Sequence, residues 1–510
     1  MIVTLLLICF FIMLFHYYIV HFSKKGRLIN RIPGVKPLPI LGNCLRYAFI
    51  SPEEMWSHTR NLMVTYYPIL KFWYFTVPNV IIVHPDYIEN MLNSTKHTVK
   101  GFVYELLRPW LGDGLLISKG IKWQNRRKIL TSAFHFSILK DFVEIFIEEG
   151  NRITESFNHM EESIIENMQF FTSHHTLNAI CETSMGISLN DLSSFQQEYR
   201  QTVSDISKLI TDRFFKPWLY SDTILNLTSL GNKQDLYLNI LHSFTEKIIA
   251  ERRRYHEQSG EQYLKYFENN TKTEDTEVAG IKKKRMAMLD ILIAASRNNM
   301  LTDSDIREEV DTFVFEGHDT VAIGLCFCLL LLAEHKDIQD RVRTEICEVM
   351  QENDGKLTMN ALQNLSYLER CIKESLRMYP SVPIISRTCT EDVQLKPYLV
   401  PEGTMVHLFI YGLHHDSNFW PNPEVFDPDR FLPENTQKRH PYAYLPFSAG
   451  SRNCIGQRFA MLELKALVAS MVHKFYLEPV DYLKDVKLKM DIVLRVARPI
   501  RMKVIPIKRM

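Results

Sequence analysis

The stretch F-S-A-G-S-R-N-C-I-G, Phe447 to Gly456, decides how the rest of the 510-residue chain is read. It sets an aromatic ring, two glycines, an arginine and a cysteine directly before a segment in which Ala460, Leu464, Leu467, Val468, Met471 and Val472 recur at helical spacing. Cys454 therefore stands just before a helix N-terminus, where backbone N–H groups and the helix dipole favour a thiolate over a thiol. Gly450 and Gly456 let the backbone turn tightly and pass close to a flat ligand. A lone cysteine before a helix is usually a buried structural residue. The ten-residue pattern as a whole argues instead for a thiolate ligand.

Working outward, Val321 to Ala333 is an apolar run bracketed by Asp319 and Glu334. It is too short to cross a bilayer and reads as the buried half of a long core helix. That helix is predicted to start at Thr302, whose hydroxyl caps it together with Asp305. F-E-G-H-D-T, Phe315 to Thr320, puts two acids, a glycine and a hydroxyl on the way into the apolar half. Burying such groups costs several kcal/mol unless they are paired or functional, so the segment is either solvated or a site. Glu374 and Arg377, three apart on a helix, read alone as a surface pair worth about 0.2 to 0.5 kcal/mol. Ile69 to Phe75 and Val80 to Val83, separated by Val77-Pro78-Asn79, predict a β-hairpin, and Val486 to Ile507 predicts further strands. Most of the remainder is helical in period, Glu257 to Lys284 reads as an exposed polar loop, and no internal repeat occurs.

With 46% hydrophobic residues the chain can bury a large core, as a globular enzyme does. Sixty Lys and Arg against 59 Asp and Glu leave a net charge of +1, which provides no field for nucleic acid. Nine scattered cysteines without C-x-x-C spacing argue against zinc and for a reducing compartment. Ile2 to Phe22 is apolar and about long enough to span a bilayer, and Lys24, Lys25, Arg27, Arg31 and Lys36 follow it. By the positive-inside rule, everything downstream faces the cytosol. The expected organisation is an anchor over 1–23, a basic and proline-rich linker over 24–43, extended by Pro33, Pro37 and Pro39, and a catalytic domain over 44–510.

The cysteine loop and the motifs accompanying it in order resemble the cytochrome P-450 superfamily, and the resemblance covers nearly the whole chain. It implies a mainly α fold with minor β-sheets, preceded by one transmembrane helix. Haem b would be held through the thiolate of Cys454, within a cradle including Phe447 and Gly456. Glu374, Arg377 and Arg430 of P-D-R-F match the E-x-x-R structural set. Trp123 and Arg127 match W-x-x-x-R, and with Arg387 and Arg452 are implied to hold the haem propionates. Gly317 would open the core helix at the oxygen site, where Asp319 and Thr320 relay protons, although Val321 stands where the motif usually has a second hydroxyl. E-V-D-T-F-V-F-E-G-H-D-T, K-R-M-A-M-L-D, P-W-L-G-D-G-L-L and W-P-N-P-E-V-F-D-P-D-R-F resemble family 4, the fatty-acid omega-hydroxylase type. That likeness implies an ester between Glu316 and a haem methyl group.

The implied activity is insertion of one oxygen atom of O2 into a C–H bond of a small lipophilic substrate, such as a fatty acid or related lipid. Implied partners are NADPH-cytochrome P-450 reductase, cytochrome b-five and membrane lipid, in the endoplasmic reticulum membrane. Lys122, Arg126, Lys128, Lys438, Arg439 and Arg458 are read as a basic patch for the electron donor. A haem-thiolate isomerase or dehydratase that uses no O2, and a non-catalytic haem-binding protein, are the alternatives.

Overall fold

The computed structural model describes residues 2–157, 162–189, 193–258 and 286–507. Its organising element is the helix Asp303–Glu334, here called α8, which carries Thr302 as N-cap in a reciprocal capping box with Asp305. Val321 to Ala333 lie wholly inside the protein, as their composition requires. Around α8 pack α5 (Met168–Ile180), α7 (Ser229–Gln258), α9 (Ser366–Met378) and α10 (Gln457–Lys474). Gly317 serves this packing, because a Cβ there would run into the Ile180 side chain of α5 at about 2.5 Å. The helix is continuous through Gly317, so the opening expected there is absent. What does occur is that hydroxyls take carbonyls beside it: Thr320 Oγ1 donates to the Glu316 carbonyl and Ser381 Oγ to that of Thr320, both at 2.7 Å, and Thr176 Oγ1 to that of His318 at 2.9 Å.

Other helices used below are α1 (Ile2–His21), α2 (Lys24–Ile29), α3 (Gly120–Thr131), α4 (Phe136–Glu155) and α6 (Ser193–Phe215). α1 is long and apolar enough to cross a membrane, and most of its side chains are exposed. The region after it is docked rather than extended throughout. Lys24 to Ile29 form a helical turn capped by Ser23, and Gly34 and Gly42 bridge to Lys71 and Tyr74.

The largest sheet runs β1 (Ile69–Tyr74), β2 (Val77–Ile82), β4 (Met405–Phe409), β3 (Ile384–Thr388). β1 and β2 pair antiparallel with Tyr74 opposite Val77, so the turn is Phe75-Thr76 and not the expected Val77-Pro78-Asn79. Pro78 is accommodated because β4 joins β2 only from Asn79 onward, leaving the missing N–H without a ladder partner to deprive. The expected strands after Val486 are β5 (Leu488–Lys489) and β6 (Arg495–Val496), a short hairpin, and Met502–Pro506, which pairs with Ser163–Ile165 and Phe475–Pro479. Of the expected polar loop, Glu257 and Gln258 finish α7 and residues 259–285 lie outside the described residues.

Candidate functional site

A cavity of about 400 Å³ opens between the middle of α8, the cysteine loop, the main sheet and the β5–β6 hairpin. The loop is tied by two backbone bonds, from Cys454 N to the Phe447 carbonyl at 3.0 Å and from Asn453 N to the Gly450 carbonyl at 3.2 Å. Gly450 has φ +71° and lies against the Leu92 carbonyl, so no side chain fits there. Gly456 differs: its φ of −89° suits any residue. A Cβ there would meet only the Phe134 ring at 3.8 Å and the Cys454 sulfur at 4.0 Å, so what glycine keeps clear is the floor of the cavity beside the sulfur.

Cys454 precedes the N-cap of α10 by two residues, and the Gly456 N–H stabilises its thiolate. The sulfur is accessible, but to the cavity and not to bulk solvent. That burial outweighs the helix end, Arg127 and Lys100, and with Glu316 nearby the thiol is pushed up to about 11. The helix dipole alone therefore does not make the thiolate. A Lewis-acidic metal would, since a coordinating thiol is deprotonated outright.

Four cations surround this end of the cavity, and none has a carboxylate within ion-pair distance among the described residues. Arg127 gives its guanidinium to the Asn453 carbonyl and side-chain oxygen at 2.8 and 2.9 Å. Arg452 lies 4.1 Å over the Trp123 ring and donates to the carbonyls of Leu115 and Ser118. Arg387, 2% exposed, bonds the Ser386 carbonyl at 3.0 Å and the Tyr104 hydroxyl. Lys100, which no sequence motif singles out, sits over the Tyr104 ring and within electrostatic reach of Arg387, Glu316, Arg452 and Cys454. Burial pulls all four down, Arg452 to about 9, its neighbouring arginines adding to the effect. Burying cations without counter-charges is costly, so the cluster is built for an anionic ligand. Glu316 is the nearby carboxylate; burial pushes it up while Lys100 and Arg127 pull it back.

Trp123, Arg127, Glu316, Thr320, Phe447, Arg452, Cys454 and Gly456 all line the cavity. Arg387 stands behind the lining residue Ser386. Asp319 is turned elsewhere: 3% exposed, it pairs with Arg495 of β6 at 2.7 Å. Arg495 was missed in the sequence, where a lone arginine inside the apolar V-L-R-V was the available signal. Glu374, Arg377 and Arg430 sit apart from the cavity as a buried set. Arg377 grips Glu374 at 2.7 and 2.8 Å and takes the carbonyls of His414 and Pro423, and Arg430 faces Glu374 at 3.2 Å. Neither Glu374 nor Arg377 touches solvent, so the surface-pair reading of the isolated motif does not apply.

The basic patch is smaller than expected. Arg126 is 3% exposed, held by Asp305, Glu308 and Glu309 at the start of α8. Arg439 stacks on Trp420, while Lys122 faces Asp113 and Asp305. Lys128, Lys438 and Arg458 remain exposed.

Residues 32–504 match the family model described as Cytochrome P450. The chain is 39% identical over 501 residues to cytochrome P450 4c3 of Drosophila melanogaster, covering 96% of this chain and 92% of that one. It is 37% identical over 484 residues to cytochrome P450 4c21 of Blattella germanica, 94% of each. It is 38% identical over 483 residues to cytochrome P450 4V2 of Homo sapiens, 93% of this chain and 89% of that one.

Proposed function

Because the chain belongs to the cytochrome P450 family, and so is a haem-thiolate monooxygenase, we propose that it hydroxylates the terminal carbon of a fatty acid or related lipid. We further propose that its electrons come from NADPH through NADPH-cytochrome P450 reductase, with cytochrome b-five as an auxiliary donor. The observation that carries the reading is Cys454 at the floor of an apolar cavity, ringed by Lys100, Arg127, Arg387 and Arg452 without carboxylate partners. That donor set fits haem b: a soft thiolate for the iron, cations for its two carboxylates, and a floor kept clear at Gly456.

Held through Cys454, haem would supply an iron able to activate dioxygen, with the thiolate donating electron density to it. The chain's own groups do the rest in this reading. Thr320 presents its hydroxyl on the cavity face of α8, where it both accepts and donates a proton. Asp319, one residue away, is the carboxylate that resupplies it, by turning from its pair with Arg495 toward the cavity. Phe214, Ile384, Ile385 and Val493 line the walls that exclude water and hold the hydrocarbon chain. Residues 1–23 anchor the protein in the endoplasmic reticulum membrane, 24–43 link, and 44–510 form the catalytic domain facing the cytosol.

The test is full-length protein reconstituted with the reductase, NADPH and isotopically labelled dioxygen. A lipid-dependent consumption of NADPH, with one labelled oxygen at the terminal carbon by mass spectrometry, is the expected result. Rearrangement of a lipid hydroperoxide without NADPH would overturn it.

A further inference from the structure

Besides Glu316, the cavity wall carries one acidic side chain among the described residues, Asp491 in the turn between β5 and β6. Its side chain is 3% exposed. Its Oδ1 accepts the Ile492 N–H at 2.7 Å and the Thr211 hydroxyl of α6 at 3.3 Å, and its Oδ2 faces Arg495 Nε at 3.5 Å. Arg495 is shared, since its Nη2 holds Asp319 at 2.7 Å. One guanidinium thus stands between two carboxylates, and the wall at Asp491 offers acceptor oxygens rather than a spare cation.

The remaining titratable groups on the wall do not compensate. Burial lowers His407 to about 4, so it is neutral, and it is bonded to Asn79 at 3.0 Å. Burial raises Tyr47, Tyr74 and Tyr104, which stay phenols. The cations Lys100, Arg127 and Arg452 belong to the cluster beside Cys454, where Glu316, the Cys454 thiolate and the cofactor's two carboxylates would be their counter-charges.

We propose that Asp491 and Thr211 form the polar anchor for the substrate, so that the enzyme prefers lipids bearing a hydroxyl, a hydrogen-bond donor, over chains of equal length ending in a free carboxylate. This rests on the monooxygenase reading above and narrows its substrate class. A hydroxyl completes the unfilled acceptor capacity of Asp491 and Thr211. Burial already pushes the Asp491 carboxyl up against the pull of Arg495 and Lys489, and a ligand carboxylate beside Asp491 and Asp319 would add like charge that repels strongly at low dielectric. Thr211 donates to Asp491 and so keeps its lone pairs for the ligand.

The experiment is a spectral binding titration of the full-length haem protein with lauryl alcohol, lauric acid and the matching alkane, for wild type, Asp491→Asn, Asp491→Leu and Thr211→Val. Wild type is expected to bind the alcohol about tenfold or more tighter than the acid, as befits a hydrogen bond to a charged acceptor. Asp491→Leu should erase that preference while leaving alkane binding unchanged, and Thr211→Val should reduce it. An acid bound as tightly as the alcohol by wild type, or a preference unchanged in Asp491→Asn and Asp491→Leu, would overturn the proposal. Should the Asp491 variants fail to fold, an unchanged preference in Thr211→Val overturns it. The ferrous carbon monoxide spectrum of each variant, and NADPH-driven oxidation of any lipid, report separately on the monooxygenase reading.

Discussion

Replacing Arg126 by alanine distinguishes a structural charge from a docking charge. Its guanidinium, 3% exposed, donates to the Asp113 carbonyl at 2.7 Å, Glu308 at 2.7 Å and Glu309 at 2.8 Å, with Asp305 alongside. Removing it leaves the Glu309 carboxylate, 1% exposed, with the Leu115 N–H at 3.0 Å. Orphaning one member of a buried ion pair costs about 3 to 5 kcal/mol, whereas an exposed lysine or arginine is worth about 0.5 kcal/mol or less. The expected loss for Arg126→Ala is in the higher range, read from urea unfolding followed by circular dichroism, or from the inactivation rate where unfolding is irreversible.

The pH dependence has a definite sign. Burial already raises Glu309 to about 7 against the pull of Arg126, and without the arginine it rises further. A carboxyl whose folded pKa lies above its unfolded value costs nothing at low pH and progressively destabilises the fold as pH climbs through the folded pKa. The variant's deficit should therefore be larger at about pH 8 than at about pH 6. Adding Glu309→Gln should recover part of the loss, because it removes the orphaned charge. Unchanged stability, accompanied only by an altered ionic-strength dependence of reduction by the reductase, would refute the assignment and return Arg126 to the docking surface.

Arg452→Ala should keep the fold but release haem to apomyoglobin about tenfold faster or more, since a charge-assisted bond to a haem carboxylate is lost; an unchanged transfer rate would remove Arg452 from the cradle. If Glu316 forms the ester implied by the family-4 resemblance, haem absorbance will travel with the turned-over wild-type polypeptide in acidic organic chromatography and elute free from Glu316→Ala. Haem eluting wholly free from wild type would exclude the link. Asn93, Asn226 and Asn364 lie in N-x-S/T sequons and are exposed, and Asn269, in a fourth, lies outside the described residues; a cytosolic body should carry no glycan on any of the four in a eukaryotic membrane preparation, and glycan on any of them would reverse the orientation.

Features governed by neighbours in sequence are legible in the sequence itself. The capping box at Thr302, the apolar half of α8, the helix after Cys454 and the β1–β2 pairing follow from local chemistry and periodicity. What escaped depends on partners far along the chain. Arg126 reads as one more base on an amphipathic helix, and only the fold sets it against acids near residue 308. Glu374 and Arg377 have surface-pair spacing but are fully buried, because residues 414 to 430 close over them. Gly317 is a packing contact with Ile180, which no motif encodes. Pro78 looked like a turn because the absence of β4 beside it cannot be seen in sequence. At Cys454 the helix end was legible, but the desolvation that outweighs it was not. Lys100 carried no motif, and the shared use of Arg495 by Asp319 and Asp491 requires the hairpin to fold back on α8.

The central claim, that Cys454 supplies the thiolate to haem iron, is tested most directly by the carbon monoxide difference spectrum of the reduced protein, wild type against Cys454→Ser. Wild type is expected to show the red-shifted Soret band of a thiolate-ligated ferrous haem. The serine variant is expected to lose it, because a serine hydroxyl stays protonated and is a poor soft ligand for iron. A red-shifted band of undiminished intensity in Cys454→Ser would contradict the assignment.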